Sequence, residues 1–328
     1  MTTTDTKPTQ KYSSMEPNPD ALGTRLRGFL GGIPSWILWF FVVVWTIPTL
    51  GLFINSFRTA DAQRAEGWWL FWQDSANGYG GLSLQNYSDV LGSEATGGVA
   101  NGLLNSMAIA VVATIIPIAI AAFAAYAFAW IDFKGRNFLF IAVVALLAVP
   151  SQVALIPLLQ MYAGGAHLTL PLIDKTITVF PDFDLAGTIP AVWLTHTGFA
   201  LPFAIFLLYN YIAGLPGDVF ESARIDGADH FTIFWRLVVP LSVPVLAAFT
   251  IFQFLWTWND YLIALTMIGG NREALPATVV IASLAGEFGL RENLLTAGAF
   301  IITVVPMVMF FTLQRFFVRG ITAGSVKG

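Results

Sequence analysis

Cysteine is absent from this sequence, which excludes disulfides, thiolate metal sites and a cysteine nucleophile. Charge is scarce as well. Asp, Glu, Lys and Arg make up 11% of the 328 residues, where a soluble domain carries roughly a quarter. That deficit excludes an ordinary cytosolic enzyme and a disordered chain. A net charge of only -4 and the lack of a basic block exclude a nucleic-acid-binding chain. No Gly-x-x-x-x-Gly-Lys-[Ser/Thr] loop is present, so the chain has nothing to cradle nucleotide phosphates. Neither His-Glu-x-x-His nor Gly-x-Ser-x-Gly occurs. The three histidines, His167, His196 and His230, are too dispersed for metal-ligand spacing. No catalytic residue, metal ligand or bound cofactor is predicted.

Hydrophobic residues, by contrast, make up 56% of the chain, and mean hydropathy is +0.70. A membrane helix needs about 20 apolar residues to cross a hydrocarbon core of about 30 Å. Charge-free runs of that length occupy 28–57, 107–131, 138–162, 185–216, 237–259 and 293–314. They are too long for barrel strands, so the prediction is an all-α polytopic membrane protein with six transmembrane helices. The stretch 274–286 is apolar but too short to span, and reads as an interfacial or re-entrant piece. Residues 1–27, rich in Thr, Pro, Lys and Asp, read as a disordered tail. The first span (28–57) follows as a retained anchor, since it is too long for a cleaved leader. A long connection, 58–100, comes next, then a five-helix core, 101–328.

Eleven of the 16 Lys and Arg residues fall on one side of these spans. Positive charge marks the cytoplasmic face, so both termini are predicted to be cytoplasmic. The opposite face holds Asp61, Glu66, Asp74, Asp89, Asp182 and Asp184 without matching bases. Trp68, Trp69 and Trp72 in the 58–100 segment read as interfacial anchors or, less commonly, as a contact for a soluble partner.

The cytoplasmic connection 214–236 is far longer than two helices need to turn round. Asp218 and Glu221, three apart, have the spacing of a capping box opening a short helix. Phe220, Ala223 and Gly227 would share one face of it, with Glu221 and Arg224 able to pair beside them. Gly227 would break the helix and Asp229 would cap another. A short cytosolic helix with a small-residue face is either a docking element or a connector lying on the membrane surface.

Glu221-Ser222-Ala223, three residues, Gly227, nine residues, then Leu237-x-Val239-Pro240 resembles the cytoplasmic loop signature of binding-protein-dependent ABC importer permeases. Ser222 stands where the family pattern has alanine, and Asp226 before the glycine fits it. Asn105-Ser106-Met107, Ala125-Tyr126-Ala127-Phe128-Ala129, Trp258-Asn259-Asp260 and the tail from Val318 to Gly328 resemble the carbohydrate (maltose and α-glucoside) branch. The likeness covers residues 100–328. The stretch 173–185 is longer than the corresponding outer loop usually is.

This resemblance implies a permease subunit of a sugar importer in a prokaryotic inner membrane. It implies as partners a second permease, two cytoplasmic ATPases that bind ATP and Mg, and an extracytoplasmic solute-binding protein, with lipid around the spans. Phe220, Glu221, Ser222, Ala223, Asp226, Gly227 and Pro240 would form the ATPase-docking element. Asn105, Gln253, Trp256, Trp258, Asn259 and Asp260 are candidates either for the wall of a solute path or for packing between helices. His196 reads as a packed, hydrogen-bonded histidine and His230 as a solvated loop residue. The alternatives are a permease for another neutral solute, of polyol or glycerol phosphate type, and a self-sufficient secondary transporter.

Overall fold

The computed structural model describes residues 34–92, 98–170, 175–285 and 291–325, with side chains in the last stretch given through Thr312 and at Gln314. The expected tail (1–27), the start of the first span (28–33), residues 173 and 174 of the long outer loop and Lys327 lie outside the described residues. The chain divides into two units, Met1–Gly51 and Leu52–Gly328.

Helix α1 (Ser35–Asn55) makes up the described part of the first unit, and its last turn belongs to the second. Its sequence is apolar on every face, as suits a segment surrounded by hydrocarbon or protein.

The second unit begins with α2 (Ala60–Ala65), a 3-10 turn at Trp68–Gln73 and α3 (Gln85–Gly92). One ion pair organises this segment. Arg58 Nε and Nη2 donate to the two carboxylate oxygens of Asp74 at 2.7 and 2.8 Å, and neither side chain is more than 1% exposed. The same guanidinium also donates to Asn55 Oδ1 and to the carbonyls of Ala62 and Glu66. Asp74 is therefore matched by a base, contrary to the charge pattern alone, because burial brings Arg58 to it.

The membrane helices follow. Among the described residues five helices are long and apolar enough to span, and a bent pair makes a sixth if counted as one span. Helix α4 (Val99–Trp130) has 32 residues, about 48 Å at 1.5 Å per residue, so it outreaches the hydrocarbon core. It packs on α7 (Ile189–Ile212) through small residues, with Ala121, Ala122, Ala125, Ala200 and Ala204 in one buried cluster. Small side chains let the backbones close up where lipid supplies no hydrophobic drive.

The third predicted span is not straight. α5 (Arg136–Ala145), a 3-10 turn (Leu146–Ala148) and α6 (Ser151–Gly164) bend by 103°. Pro150 causes the break: it has no N–H to donate, and its ring forces Val149 into an extended conformation, φ -80 and ψ 117.

Two strands, β1 (Ala166–Leu170) and β2 (Lys175–Phe180), form an antiparallel hairpin in a mostly helical chain. The connection between α6 and α7 thus holds structure of its own, where the sequence pattern suggested only a loop. Alternating residues in Lys175-Thr-Ile-Thr-Val-Phe180 carry the strand pattern, and Thr169 bonds across to Thr176 at 3.1 Å.

After α7 come α8 (Gly217–Ile225), α9 (His230–Ile233), a π turn (Phe234–Val238) and α10 (Val239–Trp258). Then follow α11 (Leu262–Ile268), α12 (Ala277–Leu284) and α13 (Glu292–Ser325). The short apolar piece α12 buries Val280, Ile281 and Leu284 in the protein. Its start lies so close to α4 that a Cβ on Gly102 would sit 3.1 Å from the Ala277 backbone. Glycine at 102 is what permits that approach.

Candidate functional site

Two groups of residues stand out: the cytoplasmic-type loop 214–236 and a polar cluster within the membrane helices. In the loop, α8 starts from Pro216, whose backbone is extended (ψ 121) and whose side chain has no acceptor, so the first turn has no side-chain cap. The capping box expected from Asp218 and Glu221 does not form, because both lie inside the helix rather than ahead of it. At the other end Gly227 takes φ +83. Its N–H reaches the Arg224 carbonyl at 3.0 Å, and the Ala228 N–H reaches Ala223 at 2.9 Å. This left-handed closure satisfies the last carbonyls and turns the chain sharply. Asp229 then caps α9, its Oδ1 accepting the Thr232 N–H at 2.8 Å. Hydrogen bonds from the Thr232 side chain and backbone hold the Asp229 carboxyl below its ordinary value.

Phe220 and Ala223 of α8 are turned inward. Phe220 is 1% exposed, and its ring stacks on Trp130 at 3.9 Å with 14° between the planes. Ala223 packs on the same cluster. Trp130 is itself fixed, donating from Nε1 to the Ile212 carbonyl at 3.1 Å. Arg224 donates to the Trp130 carbonyl at 3.4 Å instead of pairing with Glu221. The outward face therefore carries Glu221, Ser222, Ile225, Asp226 and Gly227, all exposed. The face read from spacing is thus split: Phe220 and Ala223 pack against Trp130, distant in the chain, while Gly227 lies past the end of the helix and is exposed.

The loop and the turn that leads into α10 are also tied to α4. Tyr126 OH and His230 Nδ1 lie 2.8 Å apart, so His230 is anchored rather than freely solvated. Phe123 stacks on Phe234 at 4.3 Å. Immediately ahead of Pro240, the Val239 N–H reaches back to the Phe234 carbonyl, a five-residue step. Proline at 240 has no N–H to continue an α-helical ladder, and the π turn absorbs the resulting slip.

The polar residues singled out in the spans make specific contacts. Asn105 donates to the carbonyls of Glu273 and Leu275 at 2.7 and 3.1 Å. Gln253, fully buried, donates to Ala113 O at 3.1 Å and Thr257 Oγ1 at 3.3 Å. Trp258 donates to Ile302 O at 3.1 Å and stacks on Phe254. Asn259 closes on its own helix at Leu255. Asp260 accepts from the N–H groups of Ile263 and Ala264 at 3.3 and 2.9 Å, capping α11.

Trp256 differs from these. It lines a cleft of about 640 Å³ between the Pro150 elbow and α7, along with Ser151, Gln152, Tyr162 and Thr195. It also lines a second cleft, about 590 Å³, with Asn259, Asp260, Tyr261 and Leu262. Behind its indole, edge-on at 5.2 Å, lies the His196 ring. His196 is fully buried, and neither ring nitrogen has a hydrogen-bond partner in the chain. Its Nε2 stands 3.6 Å from Asp260 Oδ2. The hydrogen-bonded histidine expected from the sequence is thus packed but unpaired, an arrangement that costs about 1–3 kcal/mol. Its proximity to Asp260, far along the chain, was not readable from spacing.

Apolar helices of spanning length, one of them broken, and a short connecting helix fixed by an aromatic stack mark a polytopic membrane protein. The chain belongs to the family of binding-protein-dependent transport system inner membrane components, whose model matches residues 115–323. It is 50% identical over 287 residues to the osmoprotective compounds uptake permease protein GgtD of Synechocystis sp., covering 87% of this chain and 88% of the relative. It is likewise 50% identical over 248 residues to the alpha-glucoside transport system permease protein AglG of Rhizobium meliloti, covering 75% of this chain and 61% of the relative. The fold matches the crystal structure of a bacterial ABC transporter involved in the import of alginate, with a TM-score of 0.68 and 17% identity. That match covers 89% of this chain and 98% of the other.

Proposed function

We propose that this chain is one of two membrane subunits of an ATP-driven sugar importer, both termini cytoplasmic. It would work beside a second permease, two cytoplasmic ATPases that bind ATP and Mg, and an extracytoplasmic solute-binding protein. The observation that carries this reading is the Phe220–Trp130 stack. It holds α8 against the membrane helices while leaving Glu221, Ser222, Asp226 and Gly227 outward for an ATPase surface. In this assignment Phe220 and Ala223 anchor the helix and Pro240 marks the start of the span it drives.

ATP closure of the ATPase pair would draw the docked helices together, and the stack would pass that displacement to α4 and α7. The nucleotide drives such a change only through its differential affinity for the two arrangements. Shifting a population from 1:99 to 99:1 takes about 5.5 kcal/mol, so a compliant link would waste the stroke. Trp256 is the pathway candidate, since it alone of the six lines both clefts. Asn105, Gln253, Trp258, Asn259 and Asp260 act as packing and capping groups in this reading. The name of the R. meliloti relative supports an α-glucoside as solute. The Synechocystis relative supports a second reading, an osmoprotective compound as solute.

The test is uptake in vesicles holding the full complex. Import of a labelled α-glucoside that needs ATP and the binding protein, and is lost in Glu221→Lys while the chain still inserts, supports the assignment. Uphill import by this chain alone overturns it.

A further inference from the structure

His196 is a buried polar group that neither the docking loop nor the helix caps make use of. It lies on α7, is fully covered by the chain itself, and has no hydrogen-bond partner for either nitrogen. A partner subunit cannot reach a side chain with no exposed surface, so any protein acceptor for its donor lies within this chain. Buried polar groups left without partners are uncommon and call for a specific explanation. The nearest acceptor is the Asp260 carboxylate, 3.6 Å from Nε2. That is just beyond a charge-assisted hydrogen bond, which closes at about 2.7–2.9 Å.

Asp260 is not a free group. Its two oxygens hold the N–H groups of Ile263 and Ala264, and its carbonyl accepts from Thr278 Oγ1 at 2.7 Å. Drawing Asp260 toward His196 would therefore carry the start of α11 with it, and α12 through Thr278. The His196 ring also backs the Trp256 indole edge-on. Trp256 is the wall common to the elbow cleft and the cleft lined by Asp260 and Leu262. A shift at 196 is thus felt in both clefts at once.

We propose that His196 is a positioning residue for solute passage: by making and breaking a hydrogen bond from Nε2 to Asp260, it sets which cleft the Trp256 indole leaves open. The open 3.6 Å gap belongs to one state of the transport cycle and the closed bond to the other. This inference rests on the reading of the chain as a permease subunit coupled to ATPases. His196 acts through Trp256 and Asp260 and need not touch solute.

Because the chain contains no cysteine, a Leu262→Cys reporter marks the second cleft specifically. The complete complex in vesicles is treated with a membrane-impermeant maleimide, with and without a non-hydrolysable ATP analogue, and labelling of this chain is followed. With His196 present, labelling should change with nucleotide. His196→Leu keeps the bulk and removes the donor; it should shrink that change and the uptake of a labelled α-glucoside by about tenfold or more, the population effect of a lost charge-assisted bond. His196→Gln keeps an N–H donor of similar reach and should stay within about threefold of the parent. Co-purification of the ATPases checks assembly. If His196→Leu does not assemble, His196→Gln against His196→Met, which is unbranched and pliable, replaces it.

A nucleotide response undiminished in the donor-free variant overturns the positioning role. Equal losses in His196→Gln and the donor-free variant overturn it too, since bulk rather than the hydrogen bond would then be at work. A parent reporter that ignores nucleotide in an assembled complex overturns the permease reading itself, and the inference with it.

Discussion

The rings of Trp130 and Phe220 lie 3.9 Å apart and 14° from parallel, joining the last turn of α4 to the helix that faces outward from the loop. Trp130 bonds to Ile212 at the end of α7, so one indole ties α4, α7 and α8 together. Offset-stacked aromatics add about 0.5–1.5 kcal/mol beyond their buried area. The stack gives the outward helix a stiff base.

Phe220→Ala removes that base. Truncating a buried phenylalanine costs about 3–5 kcal/mol, and here the loss falls on the seating of α8 rather than on the spans. Insertion should be retained while uptake drops about tenfold or more, because a loose helix transmits little of the population shift. Phe220→Trp or Phe220→Tyr, which keep a ring, should restore most of it. Uptake by Phe220→Ala equal to the parent would show that the stack carries no load.

Gly227 tests the geometry of the turn separately from the chemistry of the surface. Its φ of +83 lies in the left-handed region, and a Cβ there would meet nothing within 4 Å. Substitution therefore strains the backbone without a clash. Left-handed conformation costs an ordinary residue about 1–2 kcal/mol, and asparagine less. Thermal stability of the assembled complex should fall in the order Gly, Asn, Ala, Val. An alanine variant more stable than asparagine would contradict the closure seen at Arg224 and Ala223.

Much of this architecture is legible in the sequence because its signals are long or local. Six apolar runs announce spans by length, and Asp229 announces a cap by its place before a helix. What escapes reading depends on distant partners. Pro150 is one of 17 prolines, and nothing nearby says that it turns its helix by 103° while Pro117 stays within a continuous one. The inward turn of Phe220 depends on Trp130, and the setting of His196 on Asp260. The hairpin 166–180 hides its alternation among apolar residues flanking spans. Asp74, read as an acid without a matching base, is neutralised by Arg58 inside the protein.

Asp229 sets a pH dependence for the loop. Its folded-state value is depressed by the Thr232 hydrogen bonds. The stabilisation is therefore fully present above the ordinary carboxylate range and is lost as pH falls through the lower, folded value. Between neutral pH and about pH 5 the cap should hold constant. Below the ordinary carboxylate range, protection of the Thr232 amide, taken as its exchange rate relative to the intrinsic rate at the same pH, should fall. Asp229→Asn, which retains an acceptor oxygen without a titrating proton, should show no such step. A step persisting in Asp229→Asn would assign it to another group.

Arg58 and Asp74 give the sharpest stability prediction, because both charges are out of water. Removing one partner strands the other, at about 3–5 kcal/mol. Arg58→Leu should therefore loosen the whole 58–92 segment, which also hangs on Asn86 donating to the carbonyls of Ser56 and Arg58 at 2.9 Å. Arg58→Lys should fail nearly as badly, since an ammonium cannot reproduce the fork that spans both Asp74 oxygens. Replacing both residues by apolar ones of similar size, Arg58→Met with Asp74→Leu, should recover part of the loss. It cannot recover all of it, because the guanidinium also satisfies the carbonyls of Ala62 and Glu66. Limited proteolysis of intact complexes reads this directly: cleavage within 58–92 should be fastest in the single variants, intermediate in the double and slowest in the parent. Single variants as resistant as the parent would mean that the pair does not hold the segment.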